Sequence, residues 1–200
     1  MDVGFLLIVS GPAGVGKGTL CNRLLEDDKD VVFSVSSTTR QPREGELDGV
    51  NYNFIDKELF EKQIGADQFL EYAFVHTDYY GTPKEFVDRG IEEGRIVLLE
   101  IDVQGAIQVK ENHPEAVTVF ILPPSMDELE RRIVDRNTET EAQIKKRMSN
   151  AYKEIDLVDK YDYFIVNDDL DLATENLIAI INAEKHKVKR KIDLKEEYLD

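Results

Sequence analysis

The stretch FLLIVSGPAGVGKGTL (5–20) restricts the fold more than any other part of the chain. A short apolar run ends at Gly11, a glycine-rich loop follows, and Leu20, Leu24 and Leu25 then recur at helical spacing. An unbroken apolar run bounded by glycine predicts a strand buried on both faces, which requires a parallel sheet with helices on each side. GPAGVGK also matches G-x-x-x-x-G-K, with Gly11, Gly16 and Lys17 in register. In such a loop consecutive backbone N–H groups turn inward, the following helix offers its positive end, and the lysine reaches the outer phosphates of a nucleotide. The pattern expects Ser or Thr directly after the lysine, where it helps to hold Mg²⁺. That position is Gly18, so either Thr19 supplies the hydroxyl one residue later or water replaces it.

The strand–helix rhythm recurs downstream. RIVLLEID (95–102), AVTVFIL (116–122) and DYFIVND (162–168) read as strands. The segments VQGAIQVKENH, SMDELERRIVDR and 170–188 read as helices, the second opened by Ser125 with acids in its first turn. Alternation of this kind predicts an α/β fold, a three-layer core around a mainly parallel sheet. Residues 33–90 break the rhythm with three strand-like segments, FSVSS, NYNFI and FLEYAFV, turn-rich QPREGELDG, and a short helix at 57–64. They predict a small lobe inserted into a core made of 1–32 and 91–200. A polar interruption at 136–148, carrying Arg136, Lys145, Lys146 and Arg147, predicts a lid segment.

Composition narrows the partners. The chain holds 41 acidic against 25 basic residues, a net charge of -16, which argues against a nucleic-acid polymer as ligand. No apolar run is long enough to span a bilayer, and the amino terminus lacks the features of a signal peptide. The single Cys21 excludes an internal disulfide and fits a cytoplasmic setting. His76, His113 and His186 have no metal-ligand spacing. The basic run KHKVKRK (185–191) suits the end of a last helix, favoured by its dipole, or a docking site.

Against this acidity, SVSSTTRQPREGE (34–46) places Arg40 and Arg43 three residues apart behind a run of hydroxyls. Guanidinium forks match phosphate oxygens, and hydroxyls complete the shell, so Ser36, Arg40, Arg43 and Tyr52 form a second anion site. Two phosphate sites on one chain imply phosphoryl transfer between two nucleotides.

The motifs SGPAGVGKGTL, FSVSSTTRQPREGELDGVNYNF, FLEYA, YYGTP, EIDVQG, RNTETE and IVNDDL, in this order over about 5–185, resemble the guanylate kinases of the P-loop nucleoside monophosphate kinases. The resemblance implies Mg²⁺-dependent transfer of the γ-phosphoryl of ATP to GMP and dGMP, with the inserted lobe binding GMP. By it, Gly11, Pro12, Ala13, Gly14, Val15, Gly16, Lys17, Gly18 and Thr19 hold the ATP phosphates. Asn167 contacts the adenine; its alternative role is a turn or cap residue of the last helix. Ser36, Arg40, Arg43, Tyr52 and Tyr80 hold the GMP phosphate, while Glu71 and Thr82 read the guanine with help from Asp102. Lys17, Arg40, Arg132, Arg136 and Arg147 bear on the transferring group. Thr19 and Glu100 serve the metal indirectly. The resemblance also covers scaffold domains that bind peptides without catalysis, although their donor loops are typically degraded. Assembly is left open between monomer and homo-oligomer.

Overall fold

A computed structural model describes residues 3–75, 77–135 and 140–191. His76 and Arg136 lie outside this set, as do residues 137–139 of the expected lid.

The run that opens the chain forms β1 (Phe5–Ser10), every residue of it buried. Phe5, Leu7 and Val9 point into one apolar cluster, and Leu6 and Ile8 into another on the opposite face. The first cluster is closed by α1 (Lys17–Asp27), α5 (Met126–Val134) and α7 (Leu170–Lys185) through Leu24, Leu129 and Leu177. The second is closed by α3 (Lys84–Glu92) and α4 (Val103–Asn112) through Val87 and Val109. The five-stranded sheet runs β2-β7-β1-β8-β9, with β2 (Val31–Phe33), β7 (Ile96–Glu100), β8 (Val117–Leu122) and β9 (Tyr163–Val166). All its pairings are parallel. Chain order reverses across β1, and such a switch point leaves a crevice beyond the carboxyl ends of the strands. The glycine loop, Glu100 to Asp102 and Asn167 all emerge there.

A second, four-stranded sheet runs β4-β3-β6-β5, built from β3 (Ser37–Thr38), β4 (Asn53–Phe54), β5 (Phe69–Val75) and β6 (Asp78–Pro83). Helix α2 (Lys57–Gly65) covers it through Phe60, which stacks on Phe69 at 4.3 Å and on Tyr79 at 5.1 Å between centroids. Such aromatic pairs add to simple burial and make a small separate core.

Several expectations need correction at the edges. FSVSS is not one strand: Val31 to Phe33 pair in parallel with Ile96 to Leu98 in the larger sheet, and Ser37 begins the smaller one. β6 lies outside the three strand-like segments, yet it forms a hairpin with β5. Packing sets α3 on the larger sheet, where Val87 and Gly90 are buried, although it falls inside the 33–90 span. The polar stretch after 140 is helix α6 (Glu141–Ile155), opened by a capping box between Thr140 and Gln143 and anchored by buried Ala151. It runs beyond the lid boundary at 148.

The basic run starts in the last turn of α7 with Lys185 and is exposed over residues 186–189, but its last arginine is not at the surface. α7 stops at Lys185, and a turn of 3₁₀ helix carries Arg190 back into the body, where it is 6% exposed. Its guanidinium donates to Glu184 at 3.0 Å and lies 4.3 Å above the ring of Phe5. Lys185 pairs with Asp28 and Asp30, Lys187 with Glu184, and Lys189 with Glu115. Without Arg190 the buried Glu184 keeps only Lys187 and the Tyr163 hydroxyl, both on its other oxygen, and breaking a buried pair is costly. Arg190→Met is therefore expected to cost about 3 kcal/mol of unfolding free energy. Urea denaturation measures this, and a loss under about 1 kcal/mol would mean the clamp is solvated rather than buried.

Candidate active site

The loop between β1 and α1 is shaped by glycines that tolerate no side chain. Gly11 has φ 141°, and a Cβ there would meet the Ile121 carbonyl oxygen at 2.4 Å. Gly16 caps α1 at φ 94°, and a Cβ there would meet Asn167 Nδ2 at 2.6 Å. Only glycine adopts these angles without strain. The ammonium of Lys17 folds back over the loop and donates to the Gly11 carbonyl at 2.6 Å and the Pro12 carbonyl at 3.1 Å. Burial lowers its pKa, while Glu100 acts in the opposite sense.

Asn167 sits behind this loop rather than at a helix cap. Its amide donates to the Val15 carbonyl at 2.8 Å, and its own backbone carbonyl accepts from Arg132 at 2.9 Å. The cap of α7 is Asp169, which accepts from the Leu172 N–H. Gly14, Gly16, Thr19, Arg132 and Asn167 line one cavity of about 310 Å³ beside the loop. Arg132 also holds Glu128 at 2.8 Å, so its guanidinium is fixed across the cavity wall. Arg147 lies on α6 and is not among the lining residues.

A second cavity, of about 250 Å³, opens between the two sheets. Ser36, Tyr52, Glu71, Tyr80 and Asp102 line it, together with Glu100, Ala73, Val75 and Ile101. At its floor Glu71 is 7% exposed, and its Oε1 accepts from the Thr82 hydroxyl at 2.7 Å. The β5–β6 hairpin sets that contact, because Glu71 and Thr82 are cross-strand partners. Burial pushes the Glu71 carboxyl up to about 7, and nearby Asp102 adds to the rise while Thr82 opposes it. Asp102 has a structural task too, capping α4 by accepting from the Gly105 N–H at 2.9 Å. Gly105 went unnoticed in the sequence: a Cβ there would press on Glu71 Oε2 at 3.2 Å, so the glycine gives the carboxylate its room.

The arginines of the acceptor segment are not among the residues that line this cavity. Arg40 lies 5.4 Å above the Tyr52 ring, and its two terminal nitrogens grip Glu46 at 2.9 Å each. Glu46 also accepts from the Arg43 backbone N–H at 2.7 Å, and these contacts hold its carboxyl down at about 2. The Arg43 side chain is exposed. Glu46 was missed as one acid among many in an acidic chain, with only its distance from Arg40 to mark it.

A wider cleft continues from the second cavity and has no lining residue in common with the cavity beside the glycine loop. Gly18 and Asn22 form its α1 wall, and it shares Ser36, Tyr52 and Glu100 with the second cavity. The expected metal pair does not converge. Thr19 lines the cavity with Arg132 and Asn167, whereas it is Gly18 that lies over Glu100. Consecutive helical residues point about 100° apart, so Thr19 cannot stand in for a hydroxyl at 18. Another cavity, of about 430 Å³, opens between Val3, Phe5, Val87 and Ile91 at the amino-terminal end of β1, away from the loop.

The family model for guanylate kinase matches residues 4–184, which takes in the loop, both cavities and the wider cleft. The chain belongs to the guanylate kinase family. A guanylate kinase of Caldanaerobacter subterraneus subsp. tengcongensis is 56% identical over 191 residues, covering 96% of this chain and 93% of that one. One from Clostridioides difficile is 54% identical over 187 residues, covering 94% and 91%. Among solved structures, guanylate kinase from Anaplasma phagocytophilum superposes with a TM-score of 0.81 at 36% identity, covering 98% of this chain and 94% of that one.

Proposed function

We propose that the chain transfers the γ-phosphoryl group of ATP to GMP or dGMP, releasing ADP and the corresponding diphosphate. The observation that carries this reading is the buried Glu71–Thr82 pair in a cavity that shares Ser36, Tyr52 and Glu100 with a cleft bordered by Gly18, the residue after Lys17. A carboxylate accepts the N1–H and exocyclic N2–H₂ of guanine together, and adenine offers no such pair. An intact loop with Lys17 disfavours a peptide-binding module.

The chemistry asks for position and charge. An oxygen of the acceptor phosphate attacks the γ-phosphorus in line, and the bond to the β–γ bridging oxygen breaks, leaving ADP. Ser36, Tyr52, Tyr80 and Arg40 orient the attacking phosphate, with Arg43 reaching in from the rim. Lys17 and the loop N–H groups hold the donor, and Arg132 and Arg147, with Arg136, supply positive charge to the moving group. Mg²⁺ bound with ATP would neutralise charge on its phosphate oxygens. The residues fit a hard cation held through water: Gly18 leaves room beside Glu100, whose two carboxylate oxygens face that space.

ADP release from ATP and Mg²⁺, with GMP, AMP, CMP and UMP tested in parallel, checks the reading. Rapid turnover with GMP and little with the others is expected. No turnover in protein that still binds GMP would sink it.

Glu71 also makes acceptor binding depend on pH. Guanine bonds to the carboxylate, so bound GMP lowers the Glu71 pKa below its free value of about 7. Affinity is then full above that value and falls as pH drops below it, approaching tenfold per unit. Calorimetric titration of GMP between pH 5.5 and 8.5, roughly one to two units either side of the transition, measures the slope. A flat profile would show that Glu71 is ionised throughout.

A further inference from the structure

We infer that Glu46 is a positioning residue for Arg40: its carboxylate takes the end of the guanidinium and leaves the Nε–Nη2 edge to the acceptor phosphate, which binds there without displacing it. The inference rests on the phosphotransferase reading and deepens it on the acceptor side.

An arginine carries five N–H donors in one rigid plane. Nη1 of Arg40 gives one to Glu46 Oε2 at 2.9 Å and one to the Gln41 carbonyl at 2.8 Å, and Nη2 gives one to Glu46 Oε1 at 2.9 Å. Both hydrogens of Nη1 are thus spent. The two N–H groups outside these bonds, on Nε and Nη2, run parallel along one edge, and that spacing matches two phosphate oxygens. Glu46 is itself set by the backbone. Its N–H donates to the Arg43 carbonyl at 3.0 Å, closing a turn in which Gly45 has φ 85°, as in turns that require glycine at their third position. Its carboxylate also accepts the Arg43 N–H at 2.7 Å, so the acid is anchored independently of Arg40. Both side chains are sheltered, 15% exposed for Arg40 and 19% for Glu46. The rings of Tyr52 and Phe54, 5.4 and 5.8 Å from the guanidinium carbon, support it further. Arg40 meets the second cavity through its neighbours. Tyr52 and Tyr80 line that cavity, and Tyr80 joins Glu46 in raising the Arg40 pKa against the effect of burial. Glu46 is held at about 2, chiefly by Arg40, so it stays ionised near neutrality. A phosphate that took the end of the guanidinium would have to break two bonds to this carboxylate. The remaining edge costs neither.

The test measures binding without turnover. GMP, and guanosine, which lacks the phosphate, are titrated calorimetrically into the full chain as wild type, Glu46→Gln, Arg40→Lys and the Glu46→Gln/Arg40→Lys double variant. Glutamine keeps the size of the side chain but offers the guanidinium one acceptor in place of two. Glu46→Gln is expected to weaken GMP about tenfold and to leave guanosine within about twofold of the wild type. Lysine has no planar fork to orient, so in the Arg40→Lys background the same change should cost under about threefold. The Arg40 Nε–H signal in ¹H–¹⁵N spectra, assigned by its loss in Arg40→Lys, should shift with GMP and not with guanosine. Unchanged or tighter GMP binding in Glu46→Gln would overturn the inference, since the phosphate would then be displacing the acid. An equal loss for guanosine, or an equal cost in both backgrounds, would overturn it too, by reducing Glu46 to a prop of the lobe. Equal affinity of the wild type for GMP and guanosine would instead count against an acceptor-phosphate site in this lobe, and so against the phosphotransferase reading itself.

Discussion

Lys17→Met is expected to lower kcat about 10³-fold while leaving the fold intact. The lysine sits at the start of α1, with its ammonium donating to the Gly11 and Pro12 carbonyls. Those are weak competitors for the ammonium compared with phosphate oxygens, so ATP recruits it without breaking any other contact of the loop. In the transition state negative charge spreads over the transferred group, and a positive charge held in a sheltered site acts most strongly there. Methionine approximates the length of the side chain and removes the charge. Burial already disfavours the charged form of Lys17, so its loss should not lower Tm. Steady-state kinetics and a thermal melt on the same preparation separate the two effects. A variant that kept more than about a tenth of wild-type kcat would place the main charge stabilisation elsewhere, with Arg132 or Arg147 first in line.

What could be read from the sequence was local, and what could not was relational. The β1 run, the glycine loop and the N-cap at Ser125 depend on neighbours a few residues away, and the structure has them where the pattern puts them. Asn167 is different. Its task is to brace the Val15 carbonyl 152 positions earlier, and nothing near IVNDD announces it. The Glu71–Thr82 contact depends on the register of a hairpin whose second strand contains glycine and proline, the residues that argue against a strand. Gly18 was legible as a departure from the loop pattern, but its place against the Glu100 carboxylate was not. Arg190 reads as one more surface charge until the turn after α7 carries it under β1.

Glu71→Gln is expected to lower kcat/KM for GMP by about 10²–10³ and to narrow the preference for GMP over AMP by a similar factor. The carboxylate has one oxygen tied to the Thr82 hydroxyl and the other beside Gly105. Both oxygens retain lone pairs for the two donors on the guanine edge. A carboxamide turns one acceptor into a donor that faces another donor, and it loses the charge that strengthens the remaining bond. AMP loses little from the change, since its edge never satisfied the acid. The same variant should abolish the dependence of GMP binding on pH near 7, because the group that titrates there is gone. Thr82→Val offers the complementary case: it leaves the acid in place, removes the bond that opposes the rise in its pKa, and should move the pH transition upward rather than erase it. If Glu71→Gln weakened GMP and AMP equally, with the pH transition intact, the acid would be acting on the shape of the lobe rather than on the base. The base would then have to be read by other residues of the same wall, with Ser36 and Asp102 the polar groups nearest to hand.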